Sequence, residues 1–261
     1  MTPTSTLRQV VDAALAAVEP GRALRAAMVV ERGVLRVAGA SYPLRDVRRL
    51  LVVGAGKAVA PMAAEVESVL EGQAPSVEGV VVVPYRQTVP TRRIRIAESS
   101  HPVPDAAGVA AASAIAELVT SADEGDLVVC LVSGGGSAVL TLPVDGVTLD
   151  DMQRLTEVML RSGATINELN TLRKHLDRLK GGGLARLAAP APVVTLALCD
   201  VVGDPLDAIA SGPTVPDPTT WQDAAAVLDR YELWPRVPGN IAERMRAGVR
   251  GELEDTPKVR G

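Results

Sequence analysis

The sequence predicts an α/β protein: a three-layer α/β/α, Rossmann-like domain built on a mainly parallel sheet. Three observations point to it. Apolar runs alternate with amphipathic helical stretches along most of the chain, the pattern of βα units whose sheet is covered on both faces. Runs such as Val80 to Val83 and Leu127 to Val132 are strand-sized. The 261 residues, 47% of them hydrophobic, suit one large α/β domain or two small ones and can bury a substantial core.

Residues 5–18 read as a helix, and AMVVERGVLRVAG (27–39) as two short strands turning near Gly33. RRLLVVGAG (48–56) is a buried strand leading into a helix over AVAPMAAEVESVL, where Pro61 is tolerated in the first turn. GVVVVPY (79–85) and RIRIAES (93–99) are further strands, and an Ala-rich helix runs from Asp105, its cap, to Leu118. A strand at 127–132 precedes helices around 149–162 and 166–180, and VVTLALC (193–199) is the next strand. Beyond Pro218 the pattern is helical, near 220–231 and 239–248. No internal repeat or low-complexity linker interrupts it.

Composition narrows the function. There is no Phe and there are only three Tyr and two Trp, so the core must be aliphatic. A net charge of −4 supplies no long-range attraction for nucleic acid or acidic membranes. No apolar run approaches membrane-spanning length. The N-terminus lacks a basic start and continues into an amphipathic pattern, so no signal peptide is read. Two cysteines without metal-type spacing point to reduced, buried thiols and a cytoplasmic protein.

In folds of this kind ligands sit beyond the C-terminal ends of the strands. Three segments reach that edge: Gly54-Ala55-Gly56-Lys57, Ser133 to Ser137, and Asp200 with Gly203 and Asp204. GAGKAV fails the dinucleotide fingerprint, because Val59 stands where the third glycine belongs. It fails as a Walker A loop too, with Leu51 for the first glycine and Ala58 for the metal-binding hydroxyl. Lys57 is either an anion ligand at a strand-to-helix turn or an exposed turn lysine.

In LVSGGGSAVL, the successive N–H groups of Gly134, Gly135 and Gly136 can form a nest for phosphate oxygens, with Ser133 and Ser137 adding hydroxyls. The other reading is that the glycines let strand and helix cross closely. A nucleophile elbow is excluded, since Val139 replaces its second glycine. In INELNTLRKHLDRLK (166–180) the stripe Ile166, Leu169, Leu172, Leu176 and Leu179 is expected to be buried. Asn170, Arg173, Lys174, Asp177 and Arg178 lie on the other side, which by its charge alone reads as a solvated face. Lys180 complements the helix dipole and Gly181 to Gly183 end the helix. The acids of the 198–221 stretch, Asp200, Asp204 and Asp207, suit Mg²⁺ or a substrate proton, or else cap turns; Asp200, at the strand end, is the first candidate.

Taken together, VVGAGKAVAPMA, SSHPVPDAAG, LVSGGGSAVLTLP, INELNTLRKHLDRLKGGGLA and CDVVGDPLDAIASGPTVPDPTTW resemble, in order from about Asp12 to Thr256, the N-terminal domain of glycerate 2-kinases of the MOFRL-associated family. The resemblance implies phosphorylation of D-glycerate on its 2-hydroxyl with ATP and Mg²⁺. Family members also carry the label hydroxypyruvate reductase, which the failed dinucleotide fingerprint does not support. Carried over, Lys57, Arg173 and Asp200 are the catalytic candidates. Gly56, Ser133, Gly134, Gly135, Gly136, Ser137, Asn170 and Lys174 are the substrate- and phosphate-binding candidates, and Asp200 and Asp204 hold the metal.

The resemblance implies a domain over 1–250 and, over 251–261, the start of a linker to a C-terminal domain that forms the other wall of the cleft. The expectation is therefore little activity from this chain alone, with self-association or a separately supplied C-terminal domain. Gly183 stands where many members have Arg, removing one anion contact. Two other classes stay beside the kinase: a phosphosugar isomerase-like enzyme, which needs no nucleotide, and a non-catalytic ligand-binding module that requires a partner domain.

Overall fold

The structure is a computed structural model that describes residues 3–73, 76–199, 203 and 206–258. Helix α1 (Pro3–Ala17) is followed by α2 (Pro20–Ala27), which the sequence reading leaves out. Glu19 starts α2 by accepting hydrogen bonds from the amides of Gly21 and Arg22, with Pro20 pre-set in the first turn. Strands β1 (Met28–Glu31), β2 (Val34–Val37) and β3 (Ala40–Pro43) form an antiparallel sheet, so the expected two-stranded turn gains a third strand.

The main sheet holds β4 (Arg49–Ala55), β5 (Val77–Pro84), β6 (Ile94–Ser99), β7 (Asp126–Ser133) and β8 (Val193–Leu198), all parallel, in the order β6-β5-β4-β7-β8. Helix α3 (Val59–Val69) follows β4, α4 (Ala106–Thr120) follows β6, and a single turn, α5 (Gly136–Val139), follows β7. Period-two alternation along β4 divides its side chains between two cores. Leu50 and Val52 pack with Leu24 of α2 and Val59, Met62 and Val66 of α3. Leu51 and Val53 pack with Ala111, Ile115 and Val119 of α4 and with Leu184 and Ala188 of α8 (Gly183–Ala188). The sheet is thus covered on both faces, as the sequence predicts.

Four helices build a third core: α6 (Leu149–Ser162), α7 (Ile166–His175), α9 (Trp221–Arg230) and α10 (Gly239–Val249). Helix α7 ends at His175, five residues before the expected Lys180. Its apolar side, Leu169 and Leu172, faces this core, and its polar side faces the C-terminal edge of the sheet. Both sides are therefore covered. That corrects the solvated-face reading for Asn170, Arg173, Lys174 and Asp177, which are all buried; Arg178, beyond the end of α7, is exposed as expected, and Ile166 is 62% exposed. Lys180 is buried as well, paired with Asp177 at 2.6 Å and donating to the Leu140 carbonyl. Among the described residues no helix is long and apolar enough to cross a membrane.

Candidate active site

The ends of β4 and β7 are tied into one platform. The Lys57 amide donates to Gly134 O at 2.9 Å, and the Ala58 amide donates to Ser133 Oγ at 3.0 Å. Glycine is required where these two chains meet. At Gly56, with φ of +138°, a Cβ would stand 2.3 Å from Ser133 Oγ and 2.6 Å from Ser133 O. Ser133 is thereby buried in a joint between turns, and its hydroxyl oxygen is occupied by protein.

The three loop glycines then divide by role. Gly136 is closed in: a Cβ there would meet Ala210 Cβ and Ala55 O, both at 2.7 Å. This is the close-crossing reading. Gly135 is different. Its φ of +84° favours glycine, and a Cβ would lie 3.3 Å from Lys57 Cε and Cγ and 3.4 Å from His101 Cδ2. The Lys57 side chain therefore extends across bare backbone, with the residue itself exposed.

Beyond this loop lies a cavity of about 300 Å³. Gly134, Gly135, Ser137, Asn170 and Arg173 line it, so α7 and the glycine loop converge there. Ser137 Oγ sits at the junction: it donates to Asn170 Oδ1 at 3.0 Å and lies 2.6 Å from Ser211 Oγ. Arg173 Nη1 reaches Ser137 Oγ at 3.4 Å and Nη2 reaches Thr156 Oγ1 at 3.2 Å. Arg173 is 5% exposed, and among the described residues no carboxylate pairs with it. Burial pushes its pKa down to about 10, with Asp177 offsetting only part of the effect, so the group stays charged at neutral pH. A buried cation without a counter-charge is costly unless something anionic completes it.

Lys174, the next residue, belongs to a different environment. Its Nζ lies 3.1 Å from Asp217 Oδ1 and 3.6 Å from Asp207 Oδ2. Asp217 also accepts from Thr219 N, Thr219 Oγ1 and Thr256 Oγ1. Burial opposes ionisation of Asp217, but those hydrogen bonds and the Lys174 charge outweigh it and hold the carboxyl below the ordinary range. Lys174 lines a second, smaller cavity with His175, not the one that Arg173 lines. Gly183 also lines that second cavity, and a Cβ at Gly183 would stand 2.2 Å from Arg178 O.

Asp200 and Asp204 lie outside the described residues. Among the described residues no group of three or more His, Cys, Asp or Glu side chains is placed to hold a metal ion. The sequence reading missed three residues of the larger cavity's shell. His101 lines it, Thr156 lines it from α6, and Ser211 touches Ser137. Ala210 and Ser211 both have positive φ, at +50° and +61°, and their loop is held where the amides of Gly181 and Gly182 donate to Ser211 O and Gly212 O. His101 carried a legible signal, being one of only two histidines and following a strand end. Thr156 carried none.

A domain family described as of unknown function, DUF4147, matches residues 6–246. A glycerate 2-kinase of Pyrococcus horikoshii is 39% identical over 250 residues, covering 96% of this chain and 55% of the relative. A putative hydroxypyruvate reductase of Agrobacterium vitis is 45% identical over 255 residues, covering 97% of this chain and 52% of the relative. The crystal structure of a glycerate kinase from Thermotoga maritima superposes with a TM-score of 0.80 at 36% identity, covering 99% of this chain and 57% of that one. The chain thus spans about half the length of the curated relatives it matches. With the family model matching most of its length, the chain belongs to the DUF4147 family.

Proposed function

We propose that this domain supplies one part of an enzyme for ATP-dependent phosphorylation of D-glycerate to 2-phosphoglycerate, with the activity incomplete in this domain alone. The observation that carries the reading is Arg173, a buried cation without a carboxylate partner among the described residues, set in a cavity with the glycine loop. The similarity to glycerate kinases supports the same reading. Phosphoryl transfer needs positioning and charge neutralisation more than covalent chemistry. Lys57 and the amides of Gly134 and Gly135 hold anionic groups, either ATP phosphates or the glycerate carboxylate. Arg173 stabilises charge on the transferring group, with Asn170 and Ser137 fixing its position. Lys174 is already taken by Asp217 and Asp207 and secures α7 from behind.

Mg²⁺, which such a reaction uses to neutralise phosphate charge, is assigned to Asp200 and Asp204. The described acids beside Lys174 do not fit it: Asp217 is engaged by Lys174, Thr219 and Thr256, and Asp207 faces Lys174. A second domain supplies the other wall of the cleft, and the protein works in the cytoplasm. The reading is tested by transfer of labelled phosphoryl groups from ATP to D-glycerate, by the 261-residue chain alone and fused to the C-terminal half of the Pyrococcus relative. Product only in the fusion supports the two-walled site. Product in neither, or sugar-phosphate isomerisation without nucleotide, ends the kinase reading.

A further inference from the structure

We propose that the His101 imidazole accepts the proton of the substrate hydroxyl as that oxygen attacks phosphorus, an assignment that rests on the phosphoryl-transfer reading of this cavity. His101 follows β6 and lines the cavity with Gly134, Gly135, Ser137 and Arg173. Its ring and the Lys57 side chain flank the same bare backbone at Gly135. The residue is exposed, and among the described residues its ring nitrogens have no protein hydrogen-bond partner, so they are open to solvent or substrate. His175, the other histidine, has both nitrogens engaged: Nδ1 lies 2.8 Å from Thr171 O and Nε2 lies 3.0 Å from Asp255 Oδ1.

The cavity offers no rival base among its described lining residues. None is a carboxylate, and Ser137 and Asn170 are already bonded to each other. The charged groups acting on the ring are Lys57, from the β4–α3 turn, and Arg173, from α7; the remaining lining residues carry no charge. His101 is an exposed residue at the cavity mouth; partial desolvation of its ring first, then the Lys57 and Arg173 charges, push it below the ordinary imidazole range. The cations that draw anionic substrates in also keep this ring neutral, with a lone pair free to take a proton.

The step balances. A bond forms between the substrate hydroxyl oxygen and the γ-phosphorus of ATP. The bond from that phosphorus to the bridging oxygen breaks, its electron pair leaving on ADP. The hydroxyl proton passes to His101 and from there to solvent.

With two histidines in the chain, the titration is readable by NMR of the 261-residue protein, the ring signals being assigned through the backbone. His101 is expected to titrate below about 6.5, and saturating D-glycerate is expected to move that titration upward, because a bound anion favours the imidazolium. Titration at or above 6.5, or a value unmoved by D-glycerate, overturns the assignment. In single-turnover phosphoryl transfer, His101→Gln is expected to lower the rate about 10²-fold or more with little change in KM, and to abolish the acid limb of the pH profile. A rate within about twofold of the parent with the limb intact also overturns it. If neither the parent chain nor the fusion transfers phosphoryl groups, it is the kinase reading that fails, and the NMR titration still decides whether His101 responds to the ligand.

Discussion

Arg173 and Lys174 are neighbours on one helix, both buried, and charge pairing separates them. Lys174 meets Asp217 and Asp207, and Asp217 is in turn satisfied by Thr219 and Thr256. Arg173 meets two hydroxyls, Thr156 and Ser137, and the space of a cavity. Successive helix residues point about 100° apart, so one turn of α7 faces a closed joint on one side and an open site on the other. Burial alone does not mark a functional cation. Burial without a counter-charge does, because its desolvation is compensated only when an anion arrives.

The largest expected effect breaks the closed side. Lys174→Met leaves Asp217 charged in the interior and should destabilise the protein by about 3–5 kcal/mol, as loss of one partner of a buried pair does. The pH dependence carries the same sign. Asp217 has a depressed pKa in the fold, so its contribution is fully present above about 3.9 and is lost as pH falls through the lower folded value. Urea denaturation between pH 7 and pH 3 reads both effects. A loss under about 1 kcal/mol would make the joint incidental.

Arg173→Met attacks the open side. Phosphoryl transfer to D-glycerate should fall about 10²-fold, the usual cost of removing a charge-stabilising donor. Stability should hold or rise, since an uncompensated buried charge is removed. A variant that loses stability as severely as Lys174→Met while still transferring phosphoryl groups would reverse the two assignments.

The legibility of the two sides in the sequence differed for a physical reason. Periodicity is a local signal, and it placed the five parallel strands with α3 and α4, but neither α2 nor α8, which also cover the sheet. It also located the glycine loop and Lys57 at strand ends. It could not tell that the polar side of α7 is buried, because the groups that bury it, Ser211, Asp217 and the α6 residue Thr156, come from distant parts of the chain. The same holds for Ile166, whose apolar character suggested a core position that the start of α7 does not occupy. Helix α2 escaped because eight residues span barely two turns, too few for a periodic pattern.

The glycine loop allows a sharper, smaller contrast. Gly136→Ala forces a methyl against Ala210 and the Ala55 carbonyl, an overpacking expected to cost about 1–3 kcal/mol. Gly135→Ala meets only side-chain atoms but must hold a positive φ, at about 1–2 kcal/mol. The Gly135 change should also weaken nucleotide binding, because its methyl lies against the Lys57 and His101 side chains at the cavity. Calorimetry of ATP binding, set beside thermal melts, separates the two positions. Equal binding by both variants would make Gly135 a second packing glycine.

The smallest effect concerns the rim of the open side. Leu160 and Ile166 line the cavity yet are 54% and 62% exposed, an apolar edge beside a buried cation. Exposed side chains contribute little to folding, so Leu160→Gln with Ile166→Thr should change stability by no more than about 0.5 kcal/mol. If the rim is where a second domain or a second copy sits, the parent chain should self-associate with rising concentration and the double variant should do so less. Sedimentation velocity over a concentration series measures this directly. Identical profiles for parent and variant would remove the rim as a contact surface, and the cavity would then be a site that one wall completes.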